Sequence, residues 1–359
     1  MSEKLSLFIG SYAEAADPGI YMYELDLATG EMKYLDSASG LKNPTFVSVD
    51  KPGKKLYAIS ETKNEHGERI GEVAAYSIDP EQGKLTELNR ALTIQPSSSH
   101  IQIDHHHKYL AVSGYHGGNI GLVQIAEDGT VAGLVDVQQH TGHGADPVRQ
   151  DRPHPHSVQF SPHNRFALVA DLGLDLIRIY ELDQEQGKLI YRSEAVMKPA
   201  SGPRHLAFHP NGKWLYSINE VGSTITAFAF DAEQGSLTEL ETLSSLPADF
   251  AGENTTAEVA VSQDGRFLYG SNRGHDSIVQ FAIDPASGRL SLVQFVSSEG
   301  GHPRHFTITP DGEHLLAANR DSNNLALFRI DRDSGKLTFT GHTTEVSKPV
   351  YVKAELFRK

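Results

Sequence analysis

Apolar residues recur at every second position in short runs along the whole chain, and each run stops at a turn signal. Phe228 and Phe230 alternate with small or polar neighbours, and so do Leu325 and Leu327 ahead of Ile330. Alternation over a few residues, rich in Val, Ile, Tyr and Phe and bounded by Asp-Gly, Asn-Gly or Pro-Gly, predicts β-strands. No stretch carries the spacing of a long amphipathic helix. The strands come in a recurring phrase: NPTFVSVDKPGKKLYAISE from residue 43 is followed by EVAAYSIDPEQGKLTEL. It returns as GPRHLAFHPNGKWLYSINE with ITAFAFDAEQGSLTEL, and as HPRHFTITPDGEHLLAANR with LALFRIDRDSGKLTF. A repeat of this kind cannot bury its own apolar face, so its copies must pack against one another.

The entry to each unit's first strand falls at Pro44, Ser98, Pro155, Pro203, Thr256, Pro303 and Pro349, in steps of about 46 to 57 residues, the size of a four-stranded propeller blade. Residues 5–40 supply only the second, third and fourth strands of a unit. The missing first strand is Pro349-Val350-Tyr351-Val352, near the other end of the chain. The expectation is an all-β, seven-bladed propeller forming one domain over residues 1–359. A C-terminal strand joins the N-terminal blade, which leaves no open sheet edge.

Composition narrows the partners. There is no cysteine, which excludes disulfides, thiolate catalysis and cysteine-ligated metals. A net charge of −14 argues against nucleic acid. No apolar run is long enough to span a bilayer, and MSEKLSLFIGSY lacks a signal-peptide core, so the reading is a soluble, cytoplasmic protein that does not engage membranes.

In a propeller the entry of strand one and the exit of strand two share one face at the central channel. The residues after the register position are Thr45, Ser99, His156, Arg204, Ala257, Arg304 and Val350. The next are Phe46, His100, Ser157, His205, Glu258, His305 and Tyr351, and the strand-two exits are Tyr12, Glu61, Gly114, Asp171, Glu220, Arg273 and Arg320. Core positions of the repeat stay apolar, whereas these vary and hold His, Arg and Glu. Such a cluster marks either a site or a ring of mutually satisfied salt bridges. Its cations suit an anionic small molecule gripped by forked hydrogen bonds from Arg204, Arg273, Arg304 and Arg320. His156 is the candidate proton-transfer group, with Glu220 orienting it or a water. No Gly-x-Ser-x-Gly elbow supports an acyl-enzyme.

Two histidine-rich stretches need separate readings. The polar insertion 138–156 lies on the channel face as a possible lid. Its His140, His143, Asp146, His154 and His156 lack regular metal-ligand spacing, so no metal is assigned. The run Asp104-His105-His106-His107-Lys108 falls at the turn between strands one and two, on the opposite face, and reads as a solvated turn.

The motifs PHPH at 153–156, GPRH at 202–205, NE at 219–220, SNRGHDSI at 271–278, GHPRHF at 301–306 and ANRDSNN at 318–324 resemble the seven-bladed lactonase family across essentially the whole chain. Its activities include bacterial 6-phosphogluconolactonase and fungal 3-carboxy-cis,cis-muconate cyclase. The resemblance implies His156, Arg204, Glu220 and Arg273 as the catalytic set, with Arg273 and Arg304 holding the phosphate; from the channel positions His154, His205, Glu258, Arg304, His305 and Arg320 are the substrate-binding candidates. It implies hydrolysis of 6-phospho-D-glucono-1,5-lactone without a cofactor. A cyclase acting on a dicarboxylate, or a non-catalytic metabolite-binding propeller, are the alternatives.

Overall fold

The computed structural model describes residues 4–357. It contains seven four-stranded antiparallel sheets, with strand order running outward from the channel in each. The innermost strands are Pro349–Glu355 in blade 1, Val47–Asp50 in blade 2, His100–Ile103 in blade 3 and Pro155–Phe160 in blade 4. Pro203–Phe208, Thr255–Val261 and Pro303–Ile308 follow in blades 5 to 7. In blade 1 the innermost strand pairs with Lys4–Ser11, so one sheet joins residues from the two ends of the chain, as expected. In blades 2 and 3 the innermost strand starts later than the predicted register residue, at Val47 rather than Pro44 and at His100 rather than Ser98.

The blades lean on one another through a repeated device. The hairpin joining the third and fourth strands begins with Asp79, Asp183, Asp231, Asp284 or Asp331, whose carboxylate accepts two backbone N–H groups two and three residues on. It ends at a glycine in the left-handed region, Gly83, Gly187, Gly235, Gly288 or Gly335. An aromatic residue of the preceding blade then covers most of these glycines. A Cβ on Gly235 would lie 2.5 Å from Phe166, one on Gly288 2.5 Å from Trp214, and one on Gly335 2.5 Å from Phe267. The Tyr216 hydroxyl donates to Gly288 O at 2.9 Å, and the Tyr269 hydroxyl to Gly335 O at 2.6 Å. The Asp-x-x-x-Gly phrase therefore does two things: it closes its own hairpin and seats the neighbouring blade. Between blades the core is filled by residues such as Tyr216, Ile218, Leu268 and Phe281, all buried.

A pair of glycine substitutions separates these two contributions. Gly288 and Gly312 share nearly the same backbone angle, φ +73° and +74°, but only Gly288 is covered. Gly312→Ala should cost only the backbone strain, about 1 kcal/mol. Gly288→Ala should cost roughly a further 1–3 kcal/mol for the clash with Trp214. The check is the urea midpoint at unchanged slope; equal losses would show that the cover on Gly288 yields freely.

Candidate active site at the channel

The first strand of most blades does not enter its sheet regularly. Pro155 opposes Asp171 and Ser157 opposes Ala170, so His156 is an extra residue with no partner across the ladder. Arg204 is bulged in the same way in blade 5, and Arg304 in blade 7; in blade 6 the irregularity takes in Ala257 and Glu258. A bulge breaks strand alternation and re-aims a side chain. It also leaves backbone carbonyls without a ladder partner, and such groups must be satisfied when buried. Here the neighbouring blade does so. Ser113 Oγ donates to His156 O at 2.9 Å, Ser157 Oγ to Arg204 O at 2.7 Å, and the Arg204 guanidinium to Ala257 O at 2.6 Å.

The bulge also separates consecutive residues into two layers. Thr45, Ser99, His156 and Arg304 line a cavity of about 280 Å³ at one end of the channel. Their successors Phe46, His100, Ser157 and His305 line a different cavity, of about 410 Å³, opening toward the other end. The expectation that both rows share one mouth is therefore corrected. His205, Glu258 and His305 belong to the second layer with Tyr351 and do not line the cavity that His156 and Glu220 line. They form a plug between the cavities: Phe46 packs on His100 at 4.2 Å and on Tyr351 at 4.3 Å between ring centroids. Glu258 Oε2 lies 2.8 Å from His205 Nδ1 and 3.1 Å from His305 Nε2.

At the upper cavity one carboxylate holds three arginines. Glu220 Oε2 lies 2.9 Å from Arg204 Nε and 2.7 Å from Arg273 Nη2, and Oε1 pairs with Arg149 Nη2. Arg204 and Arg273 are buried, with side chains only 2% and 5% exposed. Burial alone would raise the Glu220 pKa, but the charges of Arg273, Arg204 and Arg149 outweigh it and hold the carboxyl well below its usual range. The Arg204 guanidinium is in turn pushed down, by burial first and then by Arg273 and Arg304. Arg304 lines the cavity with no carboxylate partner among the described residues and sits 5.6 Å over the Tyr12 ring. His156 is buried, its Nδ1 has no hydrogen-bond partner among the described residues, and burial followed by the Arg204 charge keeps its pKa well below the histidine range. It is a neutral imidazole facing a cluster of four arginines offset by a single carboxylate.

The remaining candidates fall outside the cavity wall. His154 stacks on Tyr115 at 4.3 Å and bonds Tyr115 O at 2.7 Å, so it props a residue that does line the cavity. Arg320 pairs with its neighbour Asp321 at 2.6 Å. The polar insertion is pinned rather than free. His140 bonds Asp171 at 2.6 Å and the Tyr180 hydroxyl at 2.8 Å, and Gln150, fully buried, bonds Leu172 O and Asp175. Its product is Arg149, delivered to Glu220, a contact the repeat register gave no means of finding because the insertion has no counterpart in the other blades. The Asp104–Lys108 run is a turn, as expected, with the Asp104 carboxylate accepting from the Lys108 and Tyr109 N–H groups. Among the described residues no group of three or more His, Asp or Glu is arranged to hold a metal ion, and no helix is long and apolar enough to cross a membrane.

A seven-bladed ring with a His, Arg and Glu cluster at one end of its channel defines a class, and comparison with known families agrees: residues 6–354 match the model described as Lactonase, 7-bladed beta-propeller. The chain belongs to that lactonase family. It is 36% identical over 303 residues to the 6-phosphogluconolactonase of Bacillus subtilis, covering 84% of each chain. It is 34% identical to the 6-phosphogluconolactonase of Formosa agariphila, covering 85% of this chain and 86% of that one. Among solved structures it is similar to the periplasmic gluconolactonase of Pseudomonas aeruginosa, with a TM-score of 0.91, 31% identity and coverage of 98% and 99%.

The buried imidazoles make stability depend on pH. Burial and the Arg204 charge depress His100 to about 3, and they hold His205 and His305, like His156, well below the ordinary value. An unfolded chain protonates these groups near pH 6.5, whereas the folded chain does so only far lower. Their contribution is fully present above about pH 6.5 and is lost as pH falls below it, by at most about 1.4 kcal/mol per pH unit per imidazole. Glu258, raised by burial, acts in the opposite sense, favouring the folded state less as pH rises through its folded value. The urea midpoint should drop between pH 7 and pH 5, and His100→Asn should make that drop shallower by about one proton. An identical pH slope in the variant would refute the account.

Proposed function

We propose that the protein hydrolyses an anionic sugar lactone, with 6-phospho-D-glucono-1,5-lactone as its substrate. The observation that carries this reading is the neutral His156, its Nδ1 without a hydrogen-bond partner among the described residues, beside an arginine cluster whose positive charge Glu220 only partly offsets. A base that stays unprotonated at neutral pH and an excess of buried positive charge are what attack of water on an anionic ester requires. The curated relatives named 6-phosphogluconolactonase support the choice of substrate.

In the proposed reaction His156 takes a proton from water as its oxygen attacks the ring carbonyl carbon. The negative charge that develops on the carbonyl oxygen is stabilised by the arginine cluster, with Arg204 the cation that acts most strongly on His156. The carbon–ring-oxygen bond then breaks, and the imidazolium returns its proton to the departing ring oxygen. The new carboxylic acid ionises, so one proton is released per turnover. Glu220 is unsuited as the base, because both its oxygens are engaged by arginines and its charge is strongly held. It keeps Arg204 and Arg273 together at close range. Arg304, with no carboxylate partner among the described residues, is the anchor for the phosphate.

Two variants test this with proton release as the readout. His156→Gln should lower kcat on the phosphorylated lactone by roughly 100-fold or more. Arg304→Ala should raise KM on it by about 10-fold while leaving KM on unphosphorylated glucono-1,5-lactone unchanged. Wild-type turnover in His156→Gln, or equal losses on both lactones in Arg304→Ala, would overturn the assignments.

The pH profile is a separate check. Because His156 is depressed, kcat/KM on unphosphorylated glucono-1,5-lactone, which carries no group titrating near pH 6, should stay level through pH 6.5 once corrected for spontaneous opening, and its acidic limb should lie below the ordinary histidine range. A limb at about pH 6.5 would rule out His156 as the base.

A further inference from the structure

The upper cavity has a second wall whose chemistry differs from that of the arginine cluster. On one side blades 4, 5 and 7 supply His156, Glu220 and Arg304, and Arg204 and Arg273 lie buried behind Glu220. Blade 2, three places round the ring from blade 5, supplies Glu61, at the end of its second strand Lys55–Lys63, and Arg69 at the start of its third. The Glu61 side chain is 17% exposed. Asn43 Nδ2 donates to its Oε1 at 2.6 Å, and Arg69 Nε lies 3.2 Å from its Oε2. Arg69 Nη2 is also engaged, donating to Ser97 Oγ at 3.1 Å. The principal donors of this wall are thus already turned onto Glu61 and Ser97. An ionised carboxylate has about four lone-pair directions, so Glu61 retains accepting capacity toward the cavity. Arg69, its side chain 50% exposed, offsets the Glu61 charge without supplying a surplus cation as the arginine side does; an anion placed against the Glu61 oxygens would meet an acceptor, whereas a hydroxyl would meet a partner.

We propose that Glu61, positioned by Asn43 and Arg69, reads the hydroxyl groups of the substrate and so selects a polyhydroxylated lactone whose anionic group lies toward the arginine side. The proposal rests on the reading of the arginine side as the anion-binding end, given under Proposed function. It accounts for how the site would tell a sugar lactone from a lactone carrying several carboxylates, which the arginines alone would grip equally well. A site built to bond a hydroxyl rejects analogues that lack it far more strongly than an apolar pocket rejects a change of size.

The test is calorimetric titration of the full chain with inorganic phosphate and with glucitol 6-phosphate, a non-reacting polyol with a single anionic group. Wild type should bind glucitol 6-phosphate at least about 10-fold more tightly than phosphate. Glu61→Gln should shrink that margin by about 10-fold while leaving phosphate affinity within about 2-fold. Glu61→Asp keeps the charge but withdraws it by one methylene, and it should shrink the margin as well. Thermal unfolding of each variant confirms that it is folded. A margin unchanged in both variants, no margin in wild type, or equal weakening of both ligands would overturn the assignment of Glu61 while leaving the anion site standing. Binding of neither ligand by wild type would overturn the anion site, and this proposal with it.

Discussion

A blade of this protein cannot bury its two faces by itself, and everything else in the structure follows from how its neighbours cover them. Each sheet has a blade against either face, so the seven must close into a ring with little freedom in spacing. The covered glycines, with Trp214 over Gly288 and Phe267 over Gly335, set that spacing at the outer hairpins. At the inner strands it is set by side chains that reach across to bulged carbonyls, such as Ser157 to Arg204 O and Arg204 to Ala257 O. The residues proposed for chemistry are therefore also part of the stitching between blades. Rigidity at the site needs no separate device.

The same geometry explains how a narrow channel holds so much charge. Bulging at His156, Arg204 and Arg304 breaks alternation, so one side chain is raised toward the upper cavity while the next stays in the plug. Beneath the arginines lie neutral imidazoles and Glu258, a layer that excludes water without adding positive charge at neutral pH. Electrostatic interactions above that layer are less screened than they would be in an open pore. Glu220 can then hold Arg204 and Arg273 close together despite their mutual repulsion.

The repeat made much of this legible. Proline at 155, 203 and 303 marks the strand entries, and the phrase ending in Asp-x-x-x-Gly marks the outer hairpins; both followed from local rules of alternation and turn chemistry. His156, Arg204, Glu220 and Arg273 stood out because they break an otherwise apolar register. What stayed hidden depends on three-dimensional irregularity. Bulges that separate Arg204 from His205 and Arg304 from His305 leave no mark in the composition, so two layers read as one. Arg149 comes from an insertion with no equivalent in other blades, and its approach to Glu220 is fixed by distant anchors at His140 and Gln150. Glu61 occupied a register position of the right kind, but its pairing with Asn43 and Arg69 depends on a strand end and a loop that alternation does not describe.

The strand Pro349–Glu355 that completes blade 1 also places Tyr351 in the plug, against Phe46 and His305. The ring's fastening and part of the plug beneath the upper cavity are thus one segment of chain. Peeling that strand away would expose a sheet edge and, in the same motion, admit solvent from the far end of the channel to the underside of Arg204. A molecule whose ring has begun to open is consequently one whose arginine cluster is no longer shielded from water on its lower side.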